Sequence, residues 1–69
     1  MTFQEIMAEE LGSAIELHEV IDDSAIDSLE YLQFILSLEK EFGVKFSEEQ
    51  LSKARTYADL QKLVSLTIQ

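Results

Sequence analysis

The sequence contains no cysteine, no proline and only two glycines. Without cysteine, these residues cannot form a disulfide bond or a thiolate metal site. The scarcity of proline and glycine removes the usual helix breakers and favours a helical chain. No apolar run reaches the roughly 18 residues of a membrane-spanning helix, and the first residues lack the basic start and apolar core of a signal peptide. We therefore expect a cytoplasmic protein with no membrane insertion.

Positive charge is missing from the first 39 residues, which contain ten acidic residues and no Lys or Arg. Residues 40–69 contain four acidic and five basic residues, and the net charge of the chain is −9. An acidic surface of this kind repels nucleic acids and anionic lipids, and it attracts basic protein surfaces. We therefore exclude nucleic acid as a partner and expect partners with basic patches.

Apolar spacing and capping signals predict four helices, over about residues 2–11, 28–42, 47–54 and 56–66. Residues 13–26 form a long connection that we expect to be ordered, because five of its apolar residues need cover: Ile15, Leu17, Val20, Ile21 and Ile26. In the last helix we expect Leu60, Leu63, Val64 and Thr67 to face inward. The sequence thus predicts an all-α fold, a small four-helix bundle with a long first loop and a short third helix.

The second predicted helix carries apolar residues on two separate faces. Five of them form a broad sector that we assign to the core: Tyr31, Phe34, Ile35, Leu38 and Phe42. Glu39 separates this sector from a second one that contains Leu29, Leu32 and Leu36. We expect Leu29 and Leu36 to be partly exposed and to contact a partner, whereas burial and exposure of Leu32 are equally expected.

The stretch "DSLE" at residues 27–30 begins this helix. Asp27 is predicted to be the N-cap, with Glu30 completing a capping box, so that Ser28 is not needed as a cap. The Ser28 hydroxyl then lies among unpaired backbone N–H groups at the positive end of the helix dipole. Such a position stabilises a phosphate attached to that oxygen. As a tripeptide alone, "DSL" is a weak motif, because serine and aspartate commonly occur at helix starts.

Residues 20–66 resemble the acyl carrier proteins and related phosphopantetheine-binding carrier domains. The resemblance comprises D-S-L at the start of the long helix, the run "LEKEFGVKF", a short acidic third helix and a last helix that starts at Thr56. The chain departs from the usual L-G-x-D-S-L at Ser24 and Ala25. Positive charge also lies at Lys40, where an acid is common, and at the end of the third helix: Lys53 and Arg55. These departures favour a specialised pathway over the general fatty-acid machinery.

The resemblance implies that residues 1–69 form a single acyl-carrier-like domain, a stand-alone carrier and not an enzyme. Ser28 would carry phosphopantetheine as a phosphodiester, flanked by Asp27 and Leu29, and the thiol of this arm would hold acyl groups as thioesters. A fatty-acid, lipid or polyketide pathway is implied. The expected partners are a phosphopantetheinyl transferase and acyl-loading and acyl-processing enzymes with basic docking patches, and we expect a monomer. The implied docking residues are Asp27, Leu29, Glu30, Leu36, Glu39, Glu48 and Glu49.

No constellation of catalytic or metal-binding residues accompanies these features. His18 is the only histidine and has no nucleophile at a plausible spacing. Asp22, Asp23 and Asp27 lack the glycine and terminal glutamate of a calcium loop. Two alternatives to an acyl carrier stay open: an aminoacyl or peptidyl carrier with the same arm, and an unmodified acidic helical protein-interaction module in which Ser28 is only part of a helix start.

Overall fold

The computed structural model of the chain describes residues 2–13 and 15–67. Within these ranges the chain forms four α-helices: α1 (Phe3–Leu11), α2 (Ser28–Phe42), α3 (Glu48–Lys53) and α4 (Tyr57–Thr67). A 3₁₀ turn, Ile21–Asp23, lies in the connection between α1 and α2. The all-α bundle with a long first loop and a short third helix is therefore confirmed, and the predicted helix ends differ from the observed ones by at most one residue.

The helix ends follow from side chains at the predicted cap positions. Thr2 and Glu5 form a reciprocal capping box at α1, and Ser47 and Gln50 form another at α3. Gly43 ends α2 in the left-handed conformation, with φ 66° and ψ 36°, and its N–H donates to the Glu39 carbonyl. A side chain with a Cβ would be strained there, which explains why the helix stops at this glycine.

The core lies where α1, α2 and α4 meet. Its buried residues come from these three helices: Phe3, Ile6, Met7, Leu11, Phe34, Ile35, Leu38, Tyr57, Leu60 and Val64. Phe34 lies at its centre, fully buried, with edge-to-face ring contacts to Phe3 at 5.6 Å and to Tyr57 at 6.2 Å. Tyr31 and Phe42 pack against this core while remaining partly exposed. The broad apolar sector of α2 is thus confirmed as the core face.

The long first connection is attached to the turn between α3 and α4. Three backbone N–H groups donate across this contact, from Ala58 to the Leu17 carbonyl at 2.8 Å, from Tyr57 to Glu19 at 3.3 Å and from Ile21 to Arg55 at 2.8 Å. Four of the five apolar residues expected to be covered pack against the core: Ile15, Leu17, Ile21 and Ile26. The connection is therefore an ordered layer over the bundle, as the sequence predicts.

Two expectations about apolar side chains have different outcomes. Val20 is not covered, since 38% of it is exposed. Val20 pairs with Thr56 in an isolated antiparallel bridge and immediately precedes the 3₁₀ turn, whose first residue, Ile21, packs against the core. In α4, Leu60 and Val64 are buried and Leu63 packs partly against the core. The side chain of Thr67 lies outside the described residues.

Candidate functional site

Ser28 is the first residue of α2, and it is exposed. Asp27 precedes it in an extended conformation, and its Oδ1 accepts a hydrogen bond from the Glu30 N–H at 2.8 Å. The reciprocal bond of a full capping box is not formed at this helix start, so the predicted box is half complete. Because Asp27 alone caps the helix, the Ser28 hydroxyl has no capping role, and no hydrogen bond among the described residues uses it.

The Ser28 hydroxyl lies at the positive end of the α2 dipole. The helix has 15 residues, long enough for its aligned peptide dipoles to place about half a positive charge at the N-terminus. The first N–H groups of the helix face the same end and lack partners within the helix. A negatively charged phosphoester on the Ser28 oxygen is therefore electrostatically favoured, by an amount that falls as salt increases.

The segment before Ser28 is held by hydrogen bonds at its 3₁₀ turn. The Ser24 hydroxyl donates to the Ile21 carbonyl at 2.6 Å and lies 2.9 Å from the Tyr57 hydroxyl. The Asp23 N–H donates to Val20 and the Ser24 N–H to Ile21, at 3.1 and 3.2 Å. In the sequence Ser24 stands out only as a departure from L-G-x-D-S-L, whereas in the structure its side chain links this segment to Tyr57 of α4.

An open cleft of about 610 Å³ lies beside Ser28, between the 3₁₀ turn, the start of α2 and α3. Apolar and polar residues both line it: Ile21, Asp22, Ile26, Asp27, Ser28, Tyr31, Glu48, Leu51, Ser52 and Ala54. Burial, with smaller contributions from Tyr57 and Asp22, raises the pKa of Tyr31 above its ordinary value. The Tyr31 hydroxyl therefore stays protonated at neutral pH, where it can act as a hydrogen-bond donor.

The leucine sector of α2 is exposed next to Ser28. Leu29 is 63% exposed, and Leu32 and Leu36 are each 53% exposed. The structure thus confirms the expected exposure of Leu29 and Leu36, and it places Leu32, which the helical pattern left undecided, on the same exposed face. Asp27 and Glu30 are exposed at the serine end of this face. We call these three leucines and two acids the docking face.

The remaining predicted docking residues lie in two different environments. Glu48 and Glu49 are exposed in the first turn of α3, and Glu48 also lines the cleft beside Ser28. Glu39 is half-buried, and its Oε2 accepts a hydrogen bond from the Phe46 N–H at 2.8 Å. Glu39 therefore ties the end of α2 to the chain leading to α3, and less of its charge is available to a partner than that of Glu48 or Glu49.

Metal-ligating side chains do not gather in the part of the chain that the structure describes. No group of three or more His, Asp or Glu residues among residues 2–13 and 15–67 could hold a metal ion. His18 is exposed, and its Nε2 is 3.8 Å from a Glu16 carboxylate oxygen. None of the described helices is both long enough and apolar enough to cross a membrane.

The bundle thus presents an exposed serine at the start of its longest helix. Residues 2–64 match the family model described as the phosphopantetheine attachment site. The chain belongs to this family, which includes the acyl carrier proteins. Members of the family carry a phosphopantetheine group attached covalently to a serine, and this chain is accordingly a phosphopantetheine carrier.

Proposed function

We propose that Ser28 is the serine that carries phosphopantetheine. The main observation behind this proposal is that Ser28 is exposed and that its hydroxyl makes no hydrogen bond among the described residues. Ser28 also begins α2 and lines the cleft. An exposed hydroxyl, a positive helix end and an adjoining open cleft fit an arm that is linked through a phosphate.

The other six serines of the chain lack this combination. The hydroxyls of Ser24 and Ser52 donate to the backbone carbonyls of Ile21 and Glu49. The Ser47 hydroxyl caps α3, and Ser37 is half-buried within α2. The last two are exposed, after the end of α1 and on α4, but neither begins a helix nor lines the cleft: Ser13 and Ser65. This comparison supports Ser28 over every other serine.

In the proposed attachment step, the Ser28 oxygen forms a bond to the phosphorus of coenzyme A that bears pantetheine. The phosphoanhydride bond breaks, adenosine 3′,5′-bisphosphate leaves, and the serine proton passes to a base of the transferase. The chain contributes the position of the oxygen and the helix dipole, which stabilises the new phosphodiester charge. When bound, the group supplies the thiol that holds cargo as a thioester. We infer that the chain itself makes and breaks no bonds, since carrier domains of this family are generally non-catalytic.

We further propose that pathway enzymes bind the docking face. Asp27, Glu30, Glu48 and Glu49 are exposed acids within or near this face, and they would attract basic patches on the transferase and on acyl-loading and acyl-processing enzymes. The exposed leucines would supply apolar contact once the partners meet. Glu39 would contribute less, because it is already bonded to the Phe46 N–H. Such complexes should be small and transient, with association rates that fall as salt increases.

We propose an acyl group as the cargo, in a specialised fatty-acid, lipid or polyketide pathway. The apolar part of the cleft lining supports this choice, since Ile21, Ile26, Leu51 and Ala54 can contact an alkyl chain. The family match also argues against an unmodified interaction module. An aminoacyl or peptidyl carrier would use the same arm. The identity of the enzyme that loads the arm therefore distinguishes this alternative from an acyl carrier.

The proposal is tested by incubating the purified chain with coenzyme A and a broad-specificity phosphopantetheinyl transferase. Intact mass spectrometry should show one added phosphopantetheine on the wild type and on Ser65→Ala, a matched change at an exposed serine, and none on Ser28→Ala. The loaded protein is then offered to acyl-activating and aminoacyl-activating enzymes. Loading of Ser28→Ala would contradict the site, and exclusive charging with amino acids would contradict the cargo.

A further inference from the structure

We propose that the hydrogen bond between Ser24 and Tyr57 is a positioning device, which holds the segment before Ser28 in the conformation that the modifying transferase binds. The two side chains are 33 positions apart in the sequence, and their hydroxyl oxygens are 2.9 Å apart. This inference depends on Ser28 being the attachment residue. It adds two residues that lie outside the docking face and outside the cleft walls.

The direction of this hydrogen bond follows from the partners of Ser24. The Ser24 hydroxyl has a single hydrogen, and the Ile21 carbonyl oxygen, 2.6 Å away, can only accept it. Tyr57 must therefore donate its own hydrogen to the Ser24 oxygen. The two hydrogen bonds therefore run in one direction, from the Tyr57 hydroxyl to the Ser24 oxygen and from the Ser24 hydroxyl to the Ile21 carbonyl. We call this pair of bonds the relay. Its second bond spans the 3₁₀ turn.

Tyr57 is held in place by burial and by contacts with two other parts of the chain. Its residue is 0% exposed, and its ring has an edge-to-face contact with Phe34 on α2. The Tyr57 N–H also donates to the Glu19 carbonyl, so the backbone and the side chain of this residue both contact the first connection. Because a buried phenol without a partner is unfavourable, the Tyr57 hydroxyl strongly favours conformations in which Ser24 stays in place.

The segment between this relay and Ser28 has few other attachments. Ser24 is four residues before Ser28, and of the three residues between them only Ile26 packs against the core, while Ala25 and Asp27 are exposed. Removal of the relay therefore leaves Ser24 held only by its N–H bond to the Ile21 carbonyl, and the three residues between Ser24 and Ser28 held by the packing of Ile26. The segment should then sample further conformations, of which the transferase binds only a fraction.

This reasoning predicts a separation of kinetic parameters. When only a fraction of the carrier is competent to bind, the apparent affinity equals the intrinsic affinity multiplied by that fraction. The complex, once formed, reacts at the normal rate. Tyr57→Phe removes one oxygen and keeps the ring packing, and Ser24→Ala removes the other partner. We expect each to raise the transferase KM for the carrier by about three- to tenfold, the range that one hydrogen bond provides, with kcat unchanged. The double variant should not exceed Ser24→Ala, because Ser24→Ala alone already removes both hydrogen bonds of the relay.

The controls separate positioning from general stability. Val64→Ala removes buried apolar volume from α4 without touching the relay, and all variants are assayed at a temperature at which circular dichroism shows them folded. Hydrogen exchange provides a second measurement. Tyr57→Phe should raise the exchange rates of the Asp23 and Ser24 amides more than those of the amides in α1. The inference is overturned if KM is unchanged in Tyr57→Phe and Ser24→Ala, or if Val64→Ala raises KM equally. Failure of the wild type to load at all would instead overturn the assignment of Ser28.

Discussion

Leu29 and Leu66 form a matched pair for testing the docking face. Leu29 is 63% exposed beside Ser28, and Leu66 is 64% exposed on α4, outside the docking face. Since each is about one-third buried, truncation to alanine should cost each a similar, small amount of stability, about 0.5–1 kcal/mol from a full burial value of about 1.5–3 kcal/mol. The two variants should therefore unfold at similar urea concentrations.

Binding should distinguish the two leucines. If a partner covers the exposed two-thirds of Leu29, that contact contributes at most about 1–2 kcal/mol to the transition state for loading. Leu29→Ala should then lower the transferase kcat/KM by roughly five- to thirtyfold, whereas Leu66→Ala should leave it unchanged. The assay is steady-state transfer from coenzyme A at several carrier concentrations, with product followed by intact mass. Equal losses in the two variants, or no loss in Leu29→Ala, would refute a docking role for this leucine.

Three further predictions concern stability. Sodium chloride or magnesium should raise the melting temperature in calorimetry, because the ten acids of residues 1–39 have no Lys or Arg among them and repel one another; a melting temperature independent of salt would contradict this. Ser28→Ala should change the urea midpoint little, since Asp27 caps α2, and a large loss would show that the hydroxyl is structural. Asp59 accepts hydrogen bonds from the Arg55 and Thr56 N–H groups, and the Arg55 bond is the largest of the causes that lower its pKa. This carboxylate therefore stabilises the fold above its unfolded pKa of about 3.9 and loses that effect as the pH falls through its folded pKa, so the wild type should exceed Asp59→Asn in urea midpoint at pH 7 by more than at pH 3.

Local signals were sufficient to predict the helices. The capping boxes at Thr2 and Ser47 and the glycine at position 43 act within one turn of the chain, so the printed sequence contains both partners of each interaction. The exposed position of Ser28 follows in the same way, because Asp27 takes the capping role one residue earlier. The core face of α2 was predictable from its period, which brings Phe34 and Leu38 to one side.

Contacts between distant parts of the chain were not predictable from such signals. The bond from Tyr57 to Ser24 depends on how the first connection lies against the start of α4, and no sequence period records that. The exposure of Leu32 likewise depends on whether another element covers the second sector of α2. Val20 was expected to be covered because it is apolar, but no other part of the fold covers it fully and 38% of it is exposed. A paired pattern of variation between positions 24 and 57 would have been the signal for the relay.

The location of the prosthetic group tests the central claim most directly. The chain, loaded from coenzyme A by a phosphopantetheinyl transferase, is digested, and the modified peptide is fragmented by tandem mass spectrometry. The account predicts that every fragment containing Ser28 carries the added group and that fragments containing any of the other six serines without Ser28 do not. Attachment at a different serine, or an unmodified chain after prolonged incubation with excess enzyme, would contradict it.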